Sequence, residues 1–107
     1  MTEILPAPVR ALIDAANRAD TEAFLDGFTA DGVVDDWGRE FAGRTAIRGW
    51  SDAEFIGVRV SLATTDVVKR DGEYTVTATV GGDGFNGPSH FSFRLDGALV
   101  SRMTIRE

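Results

Sequence analysis

Midway along this 107-residue chain the hydrophobic period changes from near 3.6 to 2, so the first half is built for helices and the second for a sheet. Val58, Val60, Leu62 and Thr64 alternate with more polar neighbours, and Tyr74, Val76, Ala78 and Val80 alternate with Thr75, Thr77 and Thr79. Asp71-Gly72, between those runs, is a two-residue hairpin signal, because both central positions of such a turn favour residues that tolerate positive φ. Asp96-Gly97 repeats the signal between Phe91-Phe93-Leu95 and Leu99-Met103-Ile105. The C-terminal half therefore predicts a meander of four antiparallel strands.

Upstream, Pro8 suits the first turn of a helix, and Val9, Leu12, Ile13 and Ala16 recur at helical spacing, which predicts an amphipathic helix from Ala7 to about Ala19. Asp20 or Thr21 can cap a second, shorter helix carrying Phe24, Leu25 and Phe28, with Asp31-Gly32 as the turn that ends it. Gly32 to Ala42 reads as two short strands around Trp37-Gly38-Arg39. Arg44 to about Ala53 reads as a third helix with Ile47 and Trp50 on one side. This order gives an α+β layer architecture of three N-terminal helices packed on one face of a strongly curved antiparallel β-sheet. The size predicts a single domain spanning 1–107.

Composition removes several function classes. There is no cysteine, which excludes disulfides and thiolate metal sites, and one histidine, His90, argues against a His-rich zinc site, so no metal or cofactor is expected. A net charge of -6 argues against nucleic acid as a partner, because phosphate binding needs a concentrated basic surface. No apolar run approaches the ~20 residues of a membrane span. The start MTEILPAPVR, with an acid at Glu3, does not read as a secretory signal, and the expectation is a cytoplasmic protein without membrane contact.

Chemistry concentrates between Phe28 and Trp50, where Asp35 and Asp36 stand among apolar residues. A carboxylate directed inward there either finds partners or has its ionisation perturbed, which makes it a candidate proton carrier. Strand alternation admits one of the two. Asp36 shares parity with Val34 and is the inward candidate, Asp35 the solvated one, with the roles exchanged if the register slips by one. The pocket wall is expected from Leu12, Ala16, Phe28, Val34, Trp50, Phe55 and Phe91. His90 precedes the alternating Phe91, Phe93 and Leu95 and so belongs opposite the core; a bulge after Pro88 would turn it inward as a second acid/base candidate. Arg39, Arg44 and Arg48 read as surface ion-pair partners of Asp35, Asp36 and Glu40. A buried Arg39 clamp would weaken Asp36 as a base. The run from Gly81 to Gly87 lacks Gly-Lys-Ser/Thr and reads as a connection or pocket rim.

Two segments, D20-T-E-A-F-L-D-G-F-T-A-D-G-V-V-D-D-W-G-R-E-F-A-G-R-T-A-I-R-G-W50 and G84-F-N-G-P-S-H-F-S-F-R-L-D-G-A-L-V-S-R-M-T-I105, carry a resemblance to the SnoaL-like group of the nuclear transport factor 2-like superfamily. The first resembles that family's helix, Asp-Gly strand and Gly-Arg-x-Ala-Ile helix start; the second resembles its last hairpin. The resemblance implies a cone-shaped α+β domain. The superfamily includes ketosteroid isomerases, scytalone dehydratase, limonene epoxide hydrolase and polyketide cyclases beside non-enzymatic binding and dimerisation domains, so fold alone does not decide function.

By similarity to the isomerase pattern, Asp36 falls where a general base would lie. The isomerase's oxyanion donors would fall at Leu12 and Phe91, which cannot donate hydrogen bonds, and each missing donor is worth about 3 kcal/mol. Steroid isomerisation is therefore not expected. The expectation is a small apolar pocket acting by acid/base isomerisation, dehydration or cyclisation on a ring-containing metabolite. The alternative is a non-catalytic small-ligand-binding or dimerisation module of the same fold. A homodimer through the outer sheet face, with its uncharged Thr75, Thr77 and Thr79, is expected by analogy with the fold.

Overall fold

The structure, a computed structural model, describes residues 4–107; Glu3, named above in the N-terminal reading, lies outside them. The elements run α1 (Ala7–Asn17), α2 (Thr21–Asp26), β1 (Phe28–Asp36), β2 (Arg39–Ala42), α3 (Arg44–Glu54), a 3-10 turn (Ile56–Val58), β3 (Ser61–Arg70), β4 (Glu73–Gly81), β5 (Gly87–Asp96) and β6 (Leu99–Arg106). No helix among the described residues is long and apolar enough to cross a membrane.

α1 starts with proline in its first turn and buries Val9, Leu12, Ile13, Ala15 and Ala16 along one stripe. It stops at Asn17, two residues earlier than the periodicity suggests, because Ala19 takes a left-handed φ of 56°. The Asp20 carboxylate then caps α2 by accepting from the Ala23 amide at 3.1 Å. Phe28 is not on that helix. It opens β1, and Asp31-Gly32 is no terminating turn but part of an irregularity inside that strand, where the register with β6 slips between Phe28 and Val33. Val58 and Val60 likewise precede β3, with Arg59 left-handed between them.

The six strands form one sheet in the order β2-β1-β6-β5-β4-β3. The four-strand meander β3 to β6 is antiparallel throughout, as is the β1–β2 hairpin, while β1 and β6 run parallel, so the complete sheet is mixed. That parallel pair joins residues some seventy positions apart and has no local sequence signal. Trp37-Gly38 and Asp71-Gly72 both have two positive φ angles, as tight hairpin turns require. The last hairpin turns on Gly97-Ala98, one residue later than Asp96-Gly97, because Asp96 still pairs with Leu99. Register slips near Thr65 and Ser101 add local bend and twist.

The concave face holds the core. Phe24, Phe28, Val34, Val76, Phe93, Val100 and Met103 are essentially inaccessible, closed over by α1 and α3. β3 is an edge strand, and Asn17 covers part of it: its amide nitrogen donates to the Leu62 carbonyl at 3.0 Å, and the Leu62 amide donates to its Oδ1 at 2.7 Å.

Candidate functional site: a cleft at the mouth of the cone

The cone is filled at its closed end and open at its mouth. Around Leu12, Ile13, Phe24, Phe93 and Met103 only about 10 Å³ of space remains. Between the end of β1, the end of α3, the 3-10 turn and the β4–β5 connection lies a cleft of about 410 Å³. Its apolar wall includes Trp50, Phe55, Val58, Val60, Val80, Phe91 and Ile105, with Trp37 and Phe85 at the rim. Trp50 stacks on Phe55 with ring centroids 4.9 Å apart, and Phe55 leans on Phe91 at 6.4 Å, which fixes the inner wall.

Of the pocket residues expected from sequence, Trp50, Phe55 and Phe91 line this cleft. Leu12, Ala16, Phe28 and Val34 do not: each is at most 2% exposed and belongs to the packed core. The correction has a simple cause. α1 packs on β3 and β6 and buries Leu12 and Ala16 there, while α2 and α3 pack on β1 and bury Phe28 and Val34. The sequence reading missed Ala53, Glu54, Val58, Val60, Val80, Gly84, Phe85, Ser89 and Ile105, which come together from four separate segments. Gly84 and Phe85 belong to the run recognised as a pocket rim.

Asp36 and Asp35 diverge as strand alternation requires, yet only one environment matches the expectation for it. Asp36 lies on the Val34 face, lines the cleft and has a side chain 16% exposed. Its Oδ2 accepts from the Trp50 indole nitrogen at 3.0 Å and from Arg39 Nη2 at 2.6 Å. The Arg39 side chain is half exposed, so it flanks Asp36 from the solvent side instead of burying it. Arg39 also donates twice to Glu54, at 2.7 and 3.0 Å. Glu54 is held below its ordinary pKa by that hydrogen bond, with burial opposing it, and the Arg39 guanidinium is raised by Glu54 first and Asp36 second.

Asp35 is not solvated. It is 6% exposed on the outer face of the sheet, where Arg102, Arg106 and the Gly38 amide all donate to it, the amide at 2.7 Å. The Arg106 hydrogen bond, with Gly38 and Arg102 helping and burial opposing, holds its carboxyl below the ordinary value. Glu40 joins the group through Arg102 at 2.7 Å. The other two arginines go elsewhere: Arg44 donates to the Phe28 carbonyl and Arg48 to Glu22.

His90 is exposed on the outer face, opposite Thr77 and Arg106 in the neighbouring strands, and no bulge turns it inward. It cannot partner Asp36, and its candidacy as a catalytic group is withdrawn. The polar β5 residue that does face the cleft, beside Phe91, is Ser89, whose hydroxyl donates to the Arg106 carbonyl at 3.0 Å. Leu12 and Phe91 supply no hydrogen-bond donor to the site. Among the described residues, no group of three or more His, Cys, Asp or Glu side chains is arranged to hold a metal ion.

No family model matches the chain, and no curated protein does. Solved structures do. A Sinorhizobium meliloti protein described as a candidate polyketide cyclase superimposes with a TM-score of 0.86 and 27% identity, over 95% of this chain and 95% of that one. A hypothetical protein of ketosteroid isomerase-like fold from Catenulispora acidiphila, in complex with trimethylamine, gives 0.81 and 25% identity over 97% of this chain and 87% of that one. A Mycobacterium tuberculosis protein in complex with estradiol-17β-hemisuccinate gives 0.79 at 14% identity over 94% and 90%, a likeness of fold alone. With three helices on the concave face of a curved six-stranded sheet, the motifs quoted above and these neighbours, the chain has the nuclear transport factor 2-like fold and is similar to SnoaL-like and ketosteroid isomerase-like proteins of that superfamily.

Proposed function

We propose that the cleft binds a small, largely apolar, ring-containing molecule and that Asp36 moves a proton on it, in an isomerisation, dehydration or cyclisation. One observation carries the reading: a carboxylate on the wall of an otherwise mostly apolar cleft of about 410 Å³, a size that suits a small metabolite. Both of its side-chain contacts fall on Oδ2, so Oδ1 is the oxygen that meets the ligand. The cyclase candidate and the isomerase-like fold among the neighbours support this class of chemistry. Leu12 and Phe91, lacking donors, weigh against stabilising a full enolate, so the reading favours reactions in which charge is not left on a ligand oxygen.

A second reading, a non-catalytic binder, draws on Arg39. A carboxylate whose Oδ2 already holds a guanidinium and an indole N–H offers Oδ1 to anchor a ligand as well as to accept a proton. Homodimerisation through the outer sheet face accompanies either reading, supported by the neutral hydroxyl side chains Thr75, Thr77, Ser92 and Thr104 on that face. Sedimentation equilibrium tests it, with a monomer at all concentrations as the contrary result.

The functional test is a melting-temperature screen against apolar bicyclic and steroid-type compounds, followed by product analysis on the compounds that stabilise. Turnover that disappears in Asp36→Asn supports the enzymatic reading. Binding without turnover selects the binder. Turnover that survives the substitution removes Asp36 from the mechanism, and a screen without any stabilising compound refutes the pocket.

A further inference from the structure

The nature of the cleft's charged lining says more about the ligand, provided the preceding reading of a small apolar occupant holds. The charged residues that line the cleft are Asp36 and Glu54, both acidic. They come from the end of β1 and the last turn of α3, yet converge on one nitrogen atom, Arg39 Nη2, at 2.6 and 2.7 Å. The two carboxylates are thus already spaced to share a single cationic nitrogen. Arg39 supplies it from the solvent side, outside the cleft lining. Two carboxylates against one guanidinium leave one negative charge uncompensated at the entrance of a pocket with aromatic walls.

We propose that the cleft selects a molecule carrying an ammonium group on an apolar ring body. The ammonium sits between Asp36 and Glu54 from the cleft side, and the ring lies against Trp50, Phe91 and the rim residues Trp37 and Phe85. Trp37 and Phe85 are 57% and 56% exposed, so both offer ring surface over which a cation is attracted by the π quadrupole. An anionic ligand would face two carboxylates at the entrance, and a neutral one would leave the surplus charge unpaired. The net charge of -6 favours the approach of cations in the same sense.

Titration calorimetry of the full chain with phenethylamine, phenethyl alcohol and phenylacetate tests this, since the three share a ring and differ in charge. The amine is expected to bind at least about tenfold more tightly than the alcohol, with phenylacetate weakest. Glu54→Gln, at a half-exposed helix end whose replacement spares the core, should reduce the amine-to-alcohol gap to about threefold or less, with the melting temperature of the variant confirming its fold. Equal affinities, or preference for the alcohol or phenylacetate, would overturn the inference and leave the apolar pocket standing. Failure of all three probes while bicyclic compounds still stabilise the protein would overturn it too. Only the additional failure of those compounds would remove the pocket itself.

Discussion

Replacing Asp35 by asparagine separates the two neighbouring acids more sharply than any other change. The Asp35 carboxylate accepts from Arg102 Nη2 at 2.8 Å, from Arg106 Nη1 and Nη2 at 3.0 and 3.3 Å and from the Gly38 amide at 2.7 Å, with only 9% of its side chain exposed. Asparagine keeps one accepting oxygen and loses the charge. Breaking a fully buried pair costs about 3–5 kcal/mol. Here Arg102 and Arg106 are 31% and 45% exposed, and Arg102 keeps Glu40, so water and a second acid recover part of that. The expected loss is about 2 kcal/mol, which for a domain of this size lowers the melting temperature by roughly 10 °C.

Urea denaturation with matched m-values measures the loss, and Asp36→Asn serves as the internal control. It should lose less than half as much stability, because its partner Arg39 is half exposed and retains Glu54. The pH dependence has a definite sign. Asp35 is depressed in the fold, so its contribution is fully present above the ordinary carboxyl value of 3.8 and declines as pH falls through the lower folded value. The stability difference between wild type and Asp35→Asn should therefore shrink below about pH 4. Equal losses for the two variants, or a difference that grows in acid, would refute the assignment of Asp35 to the outer-face cluster.

Three other substitutions probe separate parts of the account. Asn17→Ala removes both contacts to Leu62 and bares the β3 edge; a loss of about 1–2 kcal/mol in urea and new concentration-dependent self-association by light scattering are expected, and an unchanged monomer with unchanged stability would contradict the edge argument. Gly57→Ala would drive a Cβ into the Asp52 carbonyl oxygen with no flexible side chain to give way, so a loss of about 1–3 kcal/mol is expected in the same assay, against a wild-type midpoint if the turn can shift freely. Ala53→Trp, on an exposed face of α3 that borders the cleft, should weaken binding of any cleft ligand by about tenfold or more in calorimetry with little change in melting temperature; undiminished affinity would move the site elsewhere.

Local rules explain which parts of this molecule can be read from sequence. The Asp71-Gly72 turn is legible because positive φ at two consecutive positions leaves few residue choices, whereas at Trp37-Gly38 only the glycine gives that signal. Alternation separates Asp36 from Asp35 for the same kind of reason, a period of two that a strand cannot escape. The environment of Asp35 is not local. Its arginines lie 67 and 71 residues away and reach it only because β1 pairs in parallel with β6. The position of the cavity is also collective. Leu12, Ala16, Phe28 and Val34 have the character of a pocket wall, but how closely the three helices approach the sheet decides whether they enclose space, and only about 10 Å³ remains beside Leu12. The cleft opens where the 3-10 turn and the β4–β5 connection hold the layers apart, through contacts such as the Asp83 amide donating to the Val58 carbonyl at 2.8 Å.

Everything proposed for function turns on ligands entering the mouth of the cone beside Asp36. A two-dimensional amide and indole NMR titration with a stabilising compound measures it directly. The largest shifts are expected at the Trp50 indole N–H, which donates to Asp36, and at the backbone amides of Ser89 and Phe91, with Thr75, Thr77 and His90 on the outer face unmoved. Shifts concentrated on the outer face, with the Trp50 indole resonance in place, would contradict it.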